Sequence, residues 1–416
     1  MKYKTAASVV VSLCLLPAHA ASAQTASGAS AEPITEIRTV LRRSAPGVFA
    51  SVSRVREIAG GKVVASDLRA GRVRVLDSTL AVLQTPLDSV SVAANAIGQR
   101  LVSVFAGQAD STLALDIGGL TMLVLNSSGD IARVTAAPRP QDIGYWVGGP
   151  FGTPAVDSRG RFIYRGHARS RKPMLDADTQ VMIDADSAPV VRWSASTTML
   201  DTVLFVRVNP TETHLRIGVD GKPSVTIYVN PTPRVDDWVA LPEGGFAVVR
   251  GRNFQIEWID ADGRQTHTAP IPFDWQRLDE ARRQLVRDSA ESALAIDRAR
   301  AAALMGQSVS GSGRSAVASA PQMLLVPADR MGDYLPAFVA GAAIVDDASR
   351  VWIRTTAAIG GATVYEVVSR GTWPPRRVLV PPGRMIVGFG RQSRVYLASL
   401  DDIGARLEVA LIPDLK

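Results

Sequence analysis

Cysteine is almost missing from this chain, and the one present sits where it can do no chemistry in a mature protein. Cys14 lies inside an apolar run from Ala6 to Leu16, behind Leu13, where a lipid-modified cysteine would need a small neighbour. Beyond residue 23 there is no thiol, so disulfides, thiolate metal sites and cysteine nucleophiles are excluded. Histidine is nearly as scarce: His167, His214 and His267 remain after the N-terminal segment, with no H-x-x-x-H or H-E-x-x-H spacing, which argues against a zinc hydrolase. The glycine pairs 118–119, 148–149 and 360–361 lack the context of a phosphate-binding loop and are read as turns. The nearest approach to a nucleophile elbow, Gly311-Ser312-Gly313, falls in a linker-like stretch. No block of Lys and Arg resembles a nucleic-acid tract, so no nucleic-acid partner is expected.

What is present begins with an export pattern. Lys2 and Lys4 precede the apolar run, Pro17 breaks it, and Ala18-His19-Ala20 and Ala21-Ser22-Ala23 offer small-x-small cleavage sites. Residues 1–23 are therefore expected to be a signal peptide, too short in its apolar part for a lasting membrane span, and residues 24–33 a flexible tether. Loss of Lys2 and Lys4 lowers the formal charge from +7 to +5, a mild basic excess that favours acidic partners only weakly. The expected location is exported, periplasmic or extracellular, with a monomer as the expected state.

The remainder is rich in turns and short β patterns. Arg54 to Asp77 reads as three strands joined by a Gly-Gly turn and a polar loop, and later segments repeat it. GGKVVAS (60–66), GQRLVSV (98–104), RGRFIYR (159–165), GGFAVVR (244–250), ASRVWIR (348–354) and QSRVYLA (392–398) align as second strands. The shorter spacings match a four-stranded propeller blade and the longer ones imply insertions. The fold class expected is all-β, a six-bladed β-propeller of four-stranded antiparallel blades over residues 34–416, with a helical insertion and linker at about 273–322. Within that insertion Asp274 is read as the cap of a helix running to about Leu304, with Trp275, Leu278, Leu285, Leu294 and Ile296 on one side. Residues 168–178 read as a basic loop and 206–234 as an extra hairpin or an extended excursion. Ile34 to Leu41 should supply the fourth strand of the last blade, so that first and last segments close the ring.

GGKVVASDLRAGRVRVLD (60–77) resembles the NHL-type blade pattern, and PEGGFAVVRGRNFQIEWIDADGR (242–264) and DDASRVWIR (346–354) resemble exported bacterial six-bladed β-propellers of the TolB-like group. The similarity covers residues 49 to 412, and its motifs are structural, not catalytic. Departures are the missing Asp in the second repeat and Phe246 in place of Arg or Lys. The resemblance implies a binding platform, without naming a ligand.

Arg165, Arg250 and Arg354 close the second strand of three repeats, which would aim them at one rim as a basic collar for a carboxylate or phosphate. His167, Arg252 and Trp146 lie in connections reaching the same face, and Tyr145 adjoins them. The competing reading pairs each arginine with a neighbouring acid. Asp67, Asp157, Asp346 and Asp347 are read as turn caps, and Trp193, Trp238, Trp258 and Trp352 as packing between blades. The function expected is recognition of a protein, peptide or small anionic ligand at the channel mouth, with no cofactor, no metal ligand and no catalytic residue named. The alternative is a calcium-dependent hydrolase of the lactonase kind.

Overall fold

A computed structural model describes residues 34–37, 40–85, 101–169, 174–176, 179–218, 223–308, 322–401 and 404–412. The expected signal peptide, tether and most of the Gly/Ser-rich linker lie outside the described residues. Among the described residues the chain forms seven β-sheets, one long α-helix and four short 3₁₀ turns.

Six of the sheets follow one another along the chain. Sheet 1 is Arg54–Glu57, Val63–Asp67, Arg72–Leu76 and Val82–Gln84; sheet 2 is Leu101–Ala106, Thr112–Asp116, Thr121–Leu125 and Ile131–Ala136. Sheet 3 is Ala155–Val156, Phe162–Arg165, Ser187–Trp193 and Leu200–Arg207; sheet 4 is Asp237–Ala240, Phe246–Arg250, Gln255–Ile259 and Gln265–His267. Sheet 5 is Phe338–Val345, Val351–Ile359, Ala362–Val368 and Arg376–Val380, and sheet 6 is Arg384–Gly390, Arg394–Asp401 and Gly404–Leu411. Each is an antiparallel meander, because short alternating runs joined by tight turns pair with their immediate neighbours.

Both faces of these sheets are buried, which explains strands such as Val63–Asp67 whose residues are all inaccessible. Val64, Val73 and Val75 of sheet 1 share a core with Val104, Ala114 and Leu123 of sheet 2. Met122 and Leu115 pack with Tyr164 and Trp193 of sheet 3, and Ile163, Val190 and Leu204 with Trp238 and Val248 of sheet 4. Val249 and Trp258 meet Val351 and Ile353 of sheet 5, Trp352 and Val378 meet Val395 and Leu397 of sheet 6, and Tyr396 and Leu407 return to Val55 and Val63 of sheet 1. This is a β-propeller arrangement of repeated antiparallel sheets. The four tryptophans read as packing residues, Trp193, Trp238, Trp258 and Trp352, are all buried between sheets.

The N-terminal segment divides between two sheets. Val40–Arg43 pairs antiparallel with Gly404–Leu411 and completes sheet 6, whereas Ile34–Glu36 runs parallel to Arg376–Val380 as a fifth strand on sheet 5. The expectation that Ile34 to Leu41 as a whole joins the last sheet is corrected accordingly. The repeat alignment also slips once: Leu101–Ala106 is the first strand of sheet 2, and Thr112–Asp116 the second. Both strands carry the same apolar alternation, so pattern alone does not tell them apart.

The seventh sheet is assembled from excursions. Met174–Asp176 and Thr179–Ile183 leave sheet 3 between its second and third strands, Glu212–Ile217 and Pro223–Val229 lie between sheets 3 and 4, and Gln322–Leu325 between sheets 4 and 5. The stretch read as a basic loop thus runs into a hairpin, and of the two readings of 206–234 the hairpin is the one found. Helix α1 (Glu280–Ser308) packs on this sheet through Ala290 and Leu294 against Leu325, with Val229 and Met323 beside them. It starts later than expected. Asp279, not Asp274, accepts the Arg282 N–H through Oδ1 at 2.9 Å, and Leu285 and Ile296 are exposed.

Candidate functional site

In a meander, the connection from second to third strand and the one leading to the next sheet fall on the same rim. All the long excursions, including residues 137–154 between sheets 2 and 3, emerge from that rim, so the chain spends its extra length around one mouth.

The segment 137–154 crosses that mouth. Its first turn, Pro140–Trp146, starts with proline, whose fixed φ and missing N–H suit a first helical position. Asp142 Oδ2 accepts from Arg139 Nε at 2.6 Å and from the Tyr164 hydroxyl at 2.6 Å, which fastens the turn to sheet 3. Desolvation and this carboxylate push the Tyr164 phenol far up. Trp146 is driven inward, stacked on Phe162 at 5.2 Å and tilted on Tyr164 at 5.0 Å. The second turn, Gly149–Phe151, reaches sheets 4 and 5: the Phe151 carbonyl accepts from Trp238 Nε1 at 3.1 Å, and Gly341 of sheet 5 lies against Gly149. Gly152 has φ +79, and a Cβ there would stand 2.3 Å from Trp238 Nε1, so only glycine fits.

Three charged groups surround this turn. Arg54, the first residue of sheet 1, donates from Nη2 to Thr153 Oγ1 at 2.8 Å. Arg165 carries its guanidinium over Phe151 at 4.4 Å from the ring centroid and over Tyr145 at 5.7 Å, with Nε buried and unpartnered. Asp237, 2 % exposed, opens the first strand of sheet 4 and feels both arginines. Its carboxyl accepts backbone N–H groups from Trp238 at 2.9 Å and from Ala343 at 2.8 Å, and those of Gly341 and Ala342 also point at it. Burial outweighs these bonds and pushes Asp237 up to about 7; desolvation likewise lowers Arg54 and Arg165 to about 10, partly offset for each by the Asp237 charge. Arg54, Tyr145, Phe151, Thr153 and Arg165 are all half-buried.

The expected collar of three arginines does not assemble. Arg250 turns toward sheet 3 and is taken up by acids: Nη1 donates to Asp236 Oδ2 at 2.7 Å and to the Phe205 carbonyl, and Nε to Glu257 Oε2 at 2.8 Å. Arg354 turns toward sheet 6 and donates to Met385 Sδ at 2.7 Å. A strand's side chains alternate between its two faces, and the second strand of sheet 3 is one residue out of phase with that of sheet 4: Ile163 and Val248 share one core although the alignment equates them. Trp146, expected as open aromatic surface, is 1 % exposed and belongs to the core. Arg252 is exposed, beyond the end of the strand. His167 is exposed and lies edge-on to Tyr145 at 5.7 Å, so Arg165, Tyr145 and His167 do come together.

Arg54, Thr153, Phe151 and Asp237 were not singled out from the sequence. The available signal was a charged residue opening a strand that is otherwise apolar, at Asp237; the Arg54 strand, Arg-Val-Arg-Glu, carries no such signal. Three of the four carboxylates read as turn caps act so: Asp67 accepts from Ala50, Ser51 and Ala70 N–H, Asp157 from Arg159 and Arg161, and Asp346 from Ala348, Arg350 and the Trp352 indole. Among the described residues no three His, Cys, Asp or Glu side chains are grouped to hold a metal ion, and no helix is long and apolar enough to cross a membrane.

No protein family model and no curated protein matches the chain. Among solved structures it is similar to a streptogramin B lyase, with 12% identity, 90% of this chain and 97% of that chain covered, and a TM-score of 0.39. It is also similar to a putative exported protein from Bacteroides fragilis (9%, 91% and 99%, TM-score 0.42) and to regucalcin, a calcium-binding protein from Agrobacterium tumefaciens (10%, 91% and 95%, TM-score 0.33). Scores this low carry no inference about activity.

Proposed function

We propose that the protein is an exported six-bladed β-propeller that binds a small anionic ligand at the mouth formed around Gly149–Phe151. The shared cores from sheet 1 round to sheet 6 and back support the blade count, and the seventh sheet, drawn from excursions on one rim, is read as an insertion. The basic n-region, apolar run and small-residue sites of residues 1–23 support export.

The observation that carries the ligand reading is the pairing of two desolvated arginines, Arg54 and Arg165, with a single carboxyl, Asp237, whose hydrogen bonds go to backbone N–H groups. Asp237 is the one carboxyl that acts on both arginines, Asp142 being engaged by Arg139 and Asp184 acting on Tyr145; the half-buried Arg165 guanidinium, with no hydrogen bond to another described residue, gains from an anion that meets its outer N–H groups. The test is a thermal-shift screen of the chain from residue 24 with carboxylates, phosphate and sulfate at fixed ionic strength. A ligand that prefers the folded state raises the midpoint, by about 2.7 kcal/mol of stability at a hundredfold excess over Kd. The reading predicts a shift that vanishes in Arg54→Ala/Arg165→Ala; a screen in which no anion acts, or in which that double variant responds like wild type, refutes it.

A further inference from the structure

Resting on the anion-binding reading, we infer that the mouth is built for a carboxylate borne on an aromatic ring, with the carboxylate at Arg165 and Arg54 and the ring against Tyr145. Tyr145 meets two groups of different character. The Arg165 guanidinium stands over both Tyr145 and Phe151, and the exposed His167 ring meets Tyr145 edge-on, as Phe151 does at 5.2 Å. Charge and aromatic surface are thus contiguous, and the aromatic part continues outward to a solvent-exposed residue. The segment is also held in place: Asp142 ties the turn that carries Tyr145 to sheet 3, and Trp238 holds the one that carries Phe151. A preformed wall loses little conformational entropy on binding.

Ligand geometry follows from these groups. A guanidinium donates in its own plane and matches a planar carboxylate in a two-pronged contact. An aryl carboxylate keeps its ring next to that contact, within reach of an edge-to-face or offset contact with Tyr145. Acetate offers the same charge with no ring, and phosphate offers charge without a plane to extend. Preference for the ring, over and above charge, is what this arrangement adds to a plain anion site.

Titration calorimetry of the chain from residue 24 with benzoate, cyclohexanecarboxylate, acetate and inorganic phosphate tests the inference. Benzoate is expected to bind at least about tenfold more tightly than acetate or phosphate, and several-fold more tightly than cyclohexanecarboxylate, since a favourable aromatic contact is worth about 0.5–1.5 kcal/mol beyond area burial. Tyr145→Ala should collapse the benzoate-to-acetate ratio toward one, while Tyr145→Phe, which keeps the ring, preserves it. Equal affinities for benzoate and acetate, or a ratio unchanged in Tyr145→Ala, overturn the aryl preference and leave the anion site standing. Failure of all four probes overturns both.

Discussion

At the residue scale, burial redistributes charge around Gly149–Phe151. Asp237 is held up to about 7, against 3.8 for the ordinary carboxyl, so the folded chain binds a proton that the unfolded chain has released across that interval. Its contribution to stability therefore falls as pH rises from about 4 to about 7 and is flat above, and Asp237→Asn should remove that slope from urea-unfolding free energies measured across the range. The same titration governs the ligand. Ionised Asp237 offsets one arginine, so benzoate affinity should weaken from pH 6 to pH 8, whereas a profile that strengthens with pH would contradict the charge assignment. Arg250 supplies the opposite case. Its donors are engaged by Asp236 and Glu257, so Arg250→Ala should cost about 1–3 kcal/mol in unfolding free energy and leave the benzoate Kd unchanged. Sequence reasoning grouped Arg250 with Arg165 because the repeat alignment put them in one column. A shift of one residue in strand phase reverses the face, and no local pattern reveals that shift.

At the scale of elements, the sixth sheet shows how closure is secured. Glu408, fully buried, accepts from Arg43 Nε at 2.7 Å, Arg384 Nε at 2.6 Å and Ser399 Oγ at 3.1 Å, which locks the N-terminal strand Val40–Arg43 to the sheet it completes. Removing one member of a buried charge cluster leaves the others uncompensated, so Glu408→Ala should cost about 3 kcal/mol, read from the denaturation midpoint. That the chain start would help close the ring was legible from the three visible strands at its end. That the same start would split, with Ile34–Glu36 on the neighbouring sheet, was not, because pairing partners for a short exposed strand depend on which outer edge lies nearest in space. The helix was legible in kind but not in its start. Residues 274–279 precede it in non-helical form, and backbone bonds between Leu278 and Asp333 and between Leu335 and Gln276 hold them to the segment before sheet 5, a long-range pairing that overrides the local cap signal at Asp274. The tight turn at Gly152 offers a further check on the elements around the mouth. Gly152→Ala forces a Cβ against the Trp238 indole at a positive φ, and should both lower the melting midpoint and weaken benzoate binding by displacing Phe151.

At the scale of the whole molecule, repeat spacing in the sequence conveyed the β architecture, since each repeat must bury both faces against its neighbours and so carries the same apolar strands. The rim was legible only as a direction: the long gaps between repeats marked insertions, but their gathering into one extra sheet with α1 on it depends on contacts across nearly a hundred residues, such as Thr226 beside Gln322. The cluster around Gly149–Phe151 combines sheets 1, 3, 4 and 5 through single residues far apart in the chain, which no linear motif records. The most direct measurement is therefore calorimetric titration of benzoate into the chain from residue 24 at pH 6, in parallel with Arg54→Ala/Arg165→Ala. The account predicts saturable one-site binding to the first and none to the second. Binding of equal strength to both, or to neither, would contradict it.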